Sequence, residues 1–177
     1  MTRPEADAEE AKGNYVTEVP GHGWQRIISA PKPVSIVEID AIRALLDADQ
    51  IVICCGGGGI PVLEQGSHLK GASAVIEKDL AAGLLATETN ADILMIATSV
   101  TNVTLNYGTP HEKSINHMTI NEAEEYIRQG HFEFASMLPK IEAALSFLRS
   151  GKGRKTIITT LEKILDGIEG QAGTCIE

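Results

Sequence analysis

A chain of 177 residues, 43% hydrophobic and 22% charged, is long enough to bury one sizeable core, and none of its apolar runs approaches the roughly 20 residues a membrane-crossing helix needs. A formal net charge of -9 and a pI near 5.0 argue against nucleic acid or anionic lipid as partners, since both are held on broad basic surfaces. The acidic start from Met1 to Glu10 lacks the apolar core of a secretory signal, and three cysteines form neither a metal-ligand spacing nor a disulfide framework, so the predicted address is the cytoplasm.

Residues 1–13 read as a charged, disordered lead-in. Short β-prone runs flank Pro20-Gly21-His22-Gly23, which predicts a hairpin-like excursion over 14–30. Ile36, Ile39, Ile42, Leu45 and Leu46 recur at helical spacing and predict an amphipathic helix over about 35–48. The run Ile51-Val52-Ile53-Cys54-Cys55 reads as a buried strand, with the two thiols on opposite faces, that enters a loop of four glycines, Gly56, Gly57, Gly58 and Gly59. Such bare backbone lets a phosphate or small anion approach closely, although glycines also serve loops that simply bend. A small hairpin is predicted around Gln65-Gly66-Ser67, a helix over 78–90 and a second buried strand over 92–98. Thr119 with Glu122 three residues on forms a capping-box pattern within a helix predicted over 116–129. A helix over 137–148, a strand over 156–159 and a last helix over 161–168 complete the alternation of strands and helices. That alternation implies a mostly parallel sheet covered by helices on both faces, and ligands gather at the carboxyl ends of such strands.

Two lysines stand out. Lys78 precedes Asp79 at the start of one predicted helix, and Lys140 opens another after Met137-Leu138-Pro139. Free N–H groups and the positive end of the dipole sit there, so an added ammonium suits a phosphate; the plainer reading is a pair of solvated surface lysines. Asp79 either orients the lysines or serves as an ordinary first-turn carboxylate. The five histidines contain no i, i+4 ligand pair, so no metal site is assigned to the chain.

Pro31 to Ile39, Cys55-Gly-Gly-Gly-Gly-Ile-Pro-Val62, Val75-Ile-Glu-Lys-Asp79, Asn106-Tyr107-Gly108, Gly130-His131-Phe132, Ser136-Met-Leu-Pro-Lys140 and Ile157-Ile-Thr-Thr-Leu-Glu162 together resemble carbamate kinase, of the amino acid kinase family. The resemblance implies a three-layer α/β/α sandwich with a mostly parallel sheet, corresponding to the C-terminal part of the family, with the family's N-terminal part missing. On that reading 14–30 is a remnant of a protruding subdomain and 31–177 is the remainder of the α/β domain. The implied activity is reversible phosphoryl transfer between ATP and carbamate in arginine and carbamoyl phosphate catabolism, with ATP/ADP and Mg2+ as cofactors. The implied partners are carbamate, carbamoyl phosphate and nucleotide, within a homodimer or with a chain supplying the N-terminal half. Lys78, Asp79 and Lys140 take catalytic roles, Gly56 to Gly59 the substrate and phosphate side, and Thr98, Ser99, Asn106, Tyr107, Met137 and Lys140 the nucleotide side.

The chain departs from the family at two places. The family's Thr-Asp-Val-Asp-Gly-Val-Tyr is replaced by Thr98-Ser99-Val100-Thr101-Asn102-Val103-Thr104, which removes both carboxylates. The family's Gly-Ser-Met-Gly-Pro-Lys is replaced by Ala135-Ser136-Met137-Leu138-Pro139-Lys140, which sets Leu138 where bare backbone approaches ATP. The alternative expectation is therefore a catalytically inactive remnant that at most binds nucleotide or associates with an intact paralogue.

Overall fold

The computed structural model describes residues 1–177. Helix α1 (Arg3–Ala11) precedes a hairpin of β1 (Tyr15–Val19) and β2 (Gly23–Ile27), followed by α2 (Ile39–Asp47). A second hairpin, β3 (Val62–Gln65) and β4 (His68–Gly71), leads to α3 (Lys78–Glu88) and β5 (Ile93–Thr98). Three short strands follow, β6 (Val103–Leu105), β7 (Lys113–Ile115) and β8 (His117–Met118). The chain ends with α4 (Ile120–Arg128), α5 (Leu138–Arg149), β9 (Lys155–Thr160), a 3-10 turn over Leu161–Lys163, α6 (Ile164–Ile168) and β10 (Thr174–Ile176).

Two compact units emerge, one of Met1–Pro31 with Ile60–Ile76 and one of Lys32–Gly59 with Glu77–Glu177. The first holds α1 and both hairpins, so residues 60–76 group with the N-terminal excursion rather than with the α/β part. Residues 1–13, expected to be disordered, form α1 instead. Thr2 and Glu5 make a capping box, in which the Thr2 N–H donates to the Glu5 carboxylate at 2.7 Å. Ala6 is fully buried where α1 packs on β1 and β2, and an amphipathic start gains its order from that cover.

The second unit is built on a four-stranded sheet in the order β5-β9-β10-β8. β5 runs parallel to β9 and β8 parallel to β10, while β9 and β10 are antiparallel, so the sheet is mixed with mostly parallel pairing. Alternation along β9 divides two faces. Ile158 joins Leu94, Ile96, Ile141, Leu145 and Phe147 in a core beneath α3 and α5, whereas Ile157 and Thr159 meet Gly167 of α6 on the other side. Helix, sheet and helix thus make three layers. α4 starts where its sequence predicts: the Thr119 hydroxyl accepts from the Glu122 N–H, and the Glu122 carboxylate accepts from the Thr119 N–H. Replacing Thr119 by Ala is expected to cost about 1 kcal/mol, read as a lowered urea midpoint. The Thr119 hydrogen bonds hold the Glu122 carboxyl below its ordinary value. Its stabilisation is therefore present at neutral pH and fades as pH falls through the acidic range where that carboxyl protonates; urea midpoints of wild type and Glu122→Gln should converge there.

The run from Ile51 to Cys55 does not form a strand. It pairs with no strand, and Ile51 and Ile53 are each 96% exposed rather than buried. Strand propensity reflects how well side chains fit a pleated, half-buried surface, and here no second strand supplies one. β5 is likewise an edge strand, with β9 as its single neighbour.

Candidate active site

The site lies in the second unit, where α3 and α5 pack against each other. α3 carries Lys78 and Asp79 in its first turn, and α5 carries Lys140 in its own. The Lys140 Nζ donates to Asp79 Oδ2 at 2.8 Å, and both side chains are 9% exposed. A charged pair so far from water persists because each partner neutralises the other. Lys78 stands on the wetter side, with Nζ 3.4 Å from Asp79 Oδ2 and 2.7 Å from Glu77 Oε1. The hydrogen bond to Glu77 holds the Lys78 ammonium above its ordinary value, with Asp79 adding to the effect against partial burial. Lys78 is therefore a cation throughout the neutral range. One carboxylate, Asp79, organises two ammonium groups.

A cavity of about 140 Å³ adjoins Lys140. Its wall comes from the end of β5 and the following segment (Thr98, Ser99, Val100), from Thr104 and Tyr107, from His131, Phe132 and Glu133, and from Ser136, Met137 and Lys140. Five of the residues assigned to the nucleotide side therefore meet at one place: Thr98, Ser99, Tyr107, Met137 and Lys140. Asn106 is next to Tyr107 but outside the wall. It takes a positive φ of 53° and its side-chain amide donates to the His111 carbonyl at 3.3 Å, fixing the turn between β6 and β7. Gly56 to Gly59 lie in the same unit without lining this cavity.

Two expectations about the α5 start change. The N–H groups of Ser136, Met137 and Leu138 all turn back to the Glu133 carbonyl, at 3.4, 3.1 and 3.0 Å, so they are not free donors for an anion. Leu138, placed by sequence where backbone approaches ATP, packs against the core and does not line the cavity. α3 is different. Its N-cap, Glu77, makes no side-chain cap, and the first-turn N–H groups stand beside the two lysines. His131, Phe132, Glu133, Ser136, Val100 and Thr104 have no role assigned from sequence, although His131 and Phe132 sit in the Gly130-His131-Phe132 motif, Ser136 in the Ser136–Lys140 motif and Val100 and Thr104 in the Thr98–Thr104 stretch; Glu133 alone lies in no motif.

For Mg2+ the chain offers little. There is no cluster of three His, Cys, Asp or Glu groups, and Asp79 is already committed to the lysines. A magnesium ion often keeps several waters and rides on nucleotide phosphates.

The second unit is thus a three-layer α/β/α domain with a buried Asp79–Lys140 pair, of which Lys140 lines a cavity. The chain belongs to the amino acid kinase family, whose model matches residues 9–160. It is 47% identical over 176 residues to the carbamate kinase-like protein YqeA of Escherichia coli, covering 99% of this chain and 57% of that protein. It is likewise 47% identical to carbamate kinase 2 of Enterococcus faecalis, covering 56% of it. Among solved structures, carbamate kinase from Giardia lamblia bound to AMP-PNP superposes with a TM-score of 0.90 at 39% identity, covering 99% of this chain and 56% of that one. The chain thus spans about half the length of the relatives it matches. No helix is long and apolar enough to cross a membrane.

Proposed function

We propose that this chain is a carbamate kinase-like phosphotransferase module, acting in the cytoplasm on ATP, carbamate and carbamoyl phosphate, whose turnover requires a partner chain. The observation that carries this reading is the Asp79–Lys140 pair with Lys78 beside it. Phosphoryl transfer asks a protein mainly for positioning and for positive charge around the transferring group. In this assignment Lys78 and Lys140 neutralise the phosphoryl oxygens, Asp79 orients both ammonium groups, and the α3 N–H groups add dipolar support. The nucleotide rests against Thr98, Ser99, Tyr107 and Met137, and Gly56 to Gly59 form the acceptor and phosphate side. The AMP-PNP of the Giardia lamblia relative supports a nucleotide ligand.

The exposed Ile51 and Ile53 and the open edge of β5 favour a partner. Unpaired edge backbone and large bare apolar side chains are a ready surface for strand pairing. The partner is a chain carrying the portion of the relatives' length that this one does not match, either an intact paralogue or a separate N-terminal half. The same observation favours a second reading for the chain by itself, in which it binds nucleotide without turnover.

A coupled assay for ATP formation from ADP and carbamoyl phosphate tests both. The purified chain alone is expected to give no turnover, and turnover is expected to appear on adding that partner and to vanish with Lys78→Ala. Turnover by the chain alone overturns the partner requirement; the absence of ADP binding by calorimetry overturns the nucleotide assignment.

A further inference from the structure

The N-cap of α3 is Glu77, and its carboxylate does not do what a polar side chain at a helix start ordinarily does. It makes no cap to the α3 N–H groups and reaches sideways instead, where Glu77 Oε1 accepts from the Lys78 Nζ at 2.7 Å. Asp79 Oδ2 is farther from that ammonium, at 3.4 Å, and is already held by Lys140 at 2.8 Å. The two ion pairs differ in burial. The Lys140 and Asp79 side chains are each 9% exposed, whereas those of Lys78 and Glu77 are 57% and 35% exposed. A pair within reach of water gains little from its contact, so Lys140 is the fixed cation of the site and Lys78 the exchangeable one. Charge gives the exchange a direction. Glu77 and Asp79 offset Lys78 and Lys140, so the four groups carry no net charge, and a phosphate meets a positive site only once Glu77 is drawn aside.

We propose that Glu77 is a positioning residue that acts through Lys78, holding its ammonium while the site is empty and yielding it to a phosphoryl oxygen of the incoming ligand. The inference rests on the phosphoryl-transfer reading of the site and adds to it a group that sets how tightly phosphate is held. The carboxylate is a resident substitute for the phosphate: it satisfies the ammonium, keeps it beside Asp79, and leaves the α3 N–H groups uncovered. Glu77 is adjacent to Lys78 in the chain and cannot leave the site. It therefore repels a bound phosphate and competes for Lys78 throughout binding, which weakens the complex and hastens release.

The purified chain is compared with Glu77→Gln, which keeps the side-chain length without the charge. By calorimetry Glu77→Gln is expected to bind ADP about three- to ten-fold more tightly, a gain that shrinks as added salt screens the repulsion. In a Lys78→Ala background the same substitution is expected to give less than half of that gain, because no ammonium is left to compete for. Lys78 is also followed without ligand. After reductive methylation with isotope-labelled formaldehyde, its NMR signal, assigned by its absence from Lys78→Arg, should titrate at lower pH in Glu77→Gln, since the main contact holding that ammonium above its ordinary value is gone. An unchanged titration overturns the hold on Lys78, and an unchanged ADP affinity overturns the competition. A gain of full size in Lys78→Ala means that Glu77 acts on the ligand directly and overturns the positioning role. ADP binding by neither form, with the Lys78 titration shifted as expected, overturns the phosphate reading of the site and the displacement step with it.

Discussion

Asp79→Ala is expected to lower the unfolding free energy by roughly 3–5 kcal/mol, the range for a buried ion pair that loses one partner. The Lys140 ammonium would be left 9% exposed with its 2.8 Å acceptor gone. Lys78 does not offset this loss, because it is a second cation and would repel Lys140 once the carboxylate between them is removed. Its own link to Asp79 is partly solvated and contributes little to stability. Asp79→Ala combined with Lys140→Met should recover most of the loss, since an apolar side chain of similar length tolerates the same surroundings. Urea titration with an unchanged slope measures both. A single-variant loss below about 1 kcal/mol would mean that water reaches the pair and that the site is not preorganised. The double variant also separates stability from function, for it should fold and yet fail to support turnover with the partner chain.

The long elements were legible because each carried its own signal. α3 and α5 show helical periodicity, β5 is an apolar run of strand length, β9 is rich in β-branched residues, and Thr119 with Glu122 marks the start of α4. β6, β7 and β10 are three residues each, too short for an alternating pattern, and they exist because of what they pair with. Thr174 illustrates this: its hydroxyl accepts from the Val103 N–H at 2.8 Å, a tie across 71 residues that no local window contains. The failure at Ile51 to Cys55 has the same cause with the opposite sign, since the local preference is strong and no strand of this chain pairs with it. Among site residues, Lys78 and Lys140 were readable as cations placed against a helix dipole, and Asp79 as the carboxylate beside one of them. The mutual burial of Asp79 and Lys140 depends on how two helices meet, and the diversion of the α5 amides to the Glu133 carbonyl depends on a turn with no motif.

The meeting of those helices rests on Gly83. A Cβ placed there would lie 3.0 Å from the Ala143 carbonyl oxygen and 3.1 Å from the Ala143 Cβ, so α3 approaches α5 as closely as it does because Gly83 has no side chain. In an isolated helix Gly is worse than Ala by roughly 0.5–1 kcal/mol, which favours substitution. Val in this contact forces backbone apart, and overpacking of that kind costs typically 1–3 kcal/mol, more than propensity returns. Gly83→Val is therefore expected to destabilise the chain by about 1–2 kcal/mol, while Gly83→Ala should fall near neutral as the two effects offset. The larger consequence is functional. Gly83 lies four residues after Asp79 and Ala143 three after Lys140, about one turn along each helix, so spreading this contact draws the carboxylate away from the ammonium. A double-mutant cycle on Asp79 and Lys140 in the Gly83→Val background should show their coupling reduced to less than half of its wild-type value. An undiminished coupling would mean that the ion pair is positioned by its own attraction and not by the helix contact.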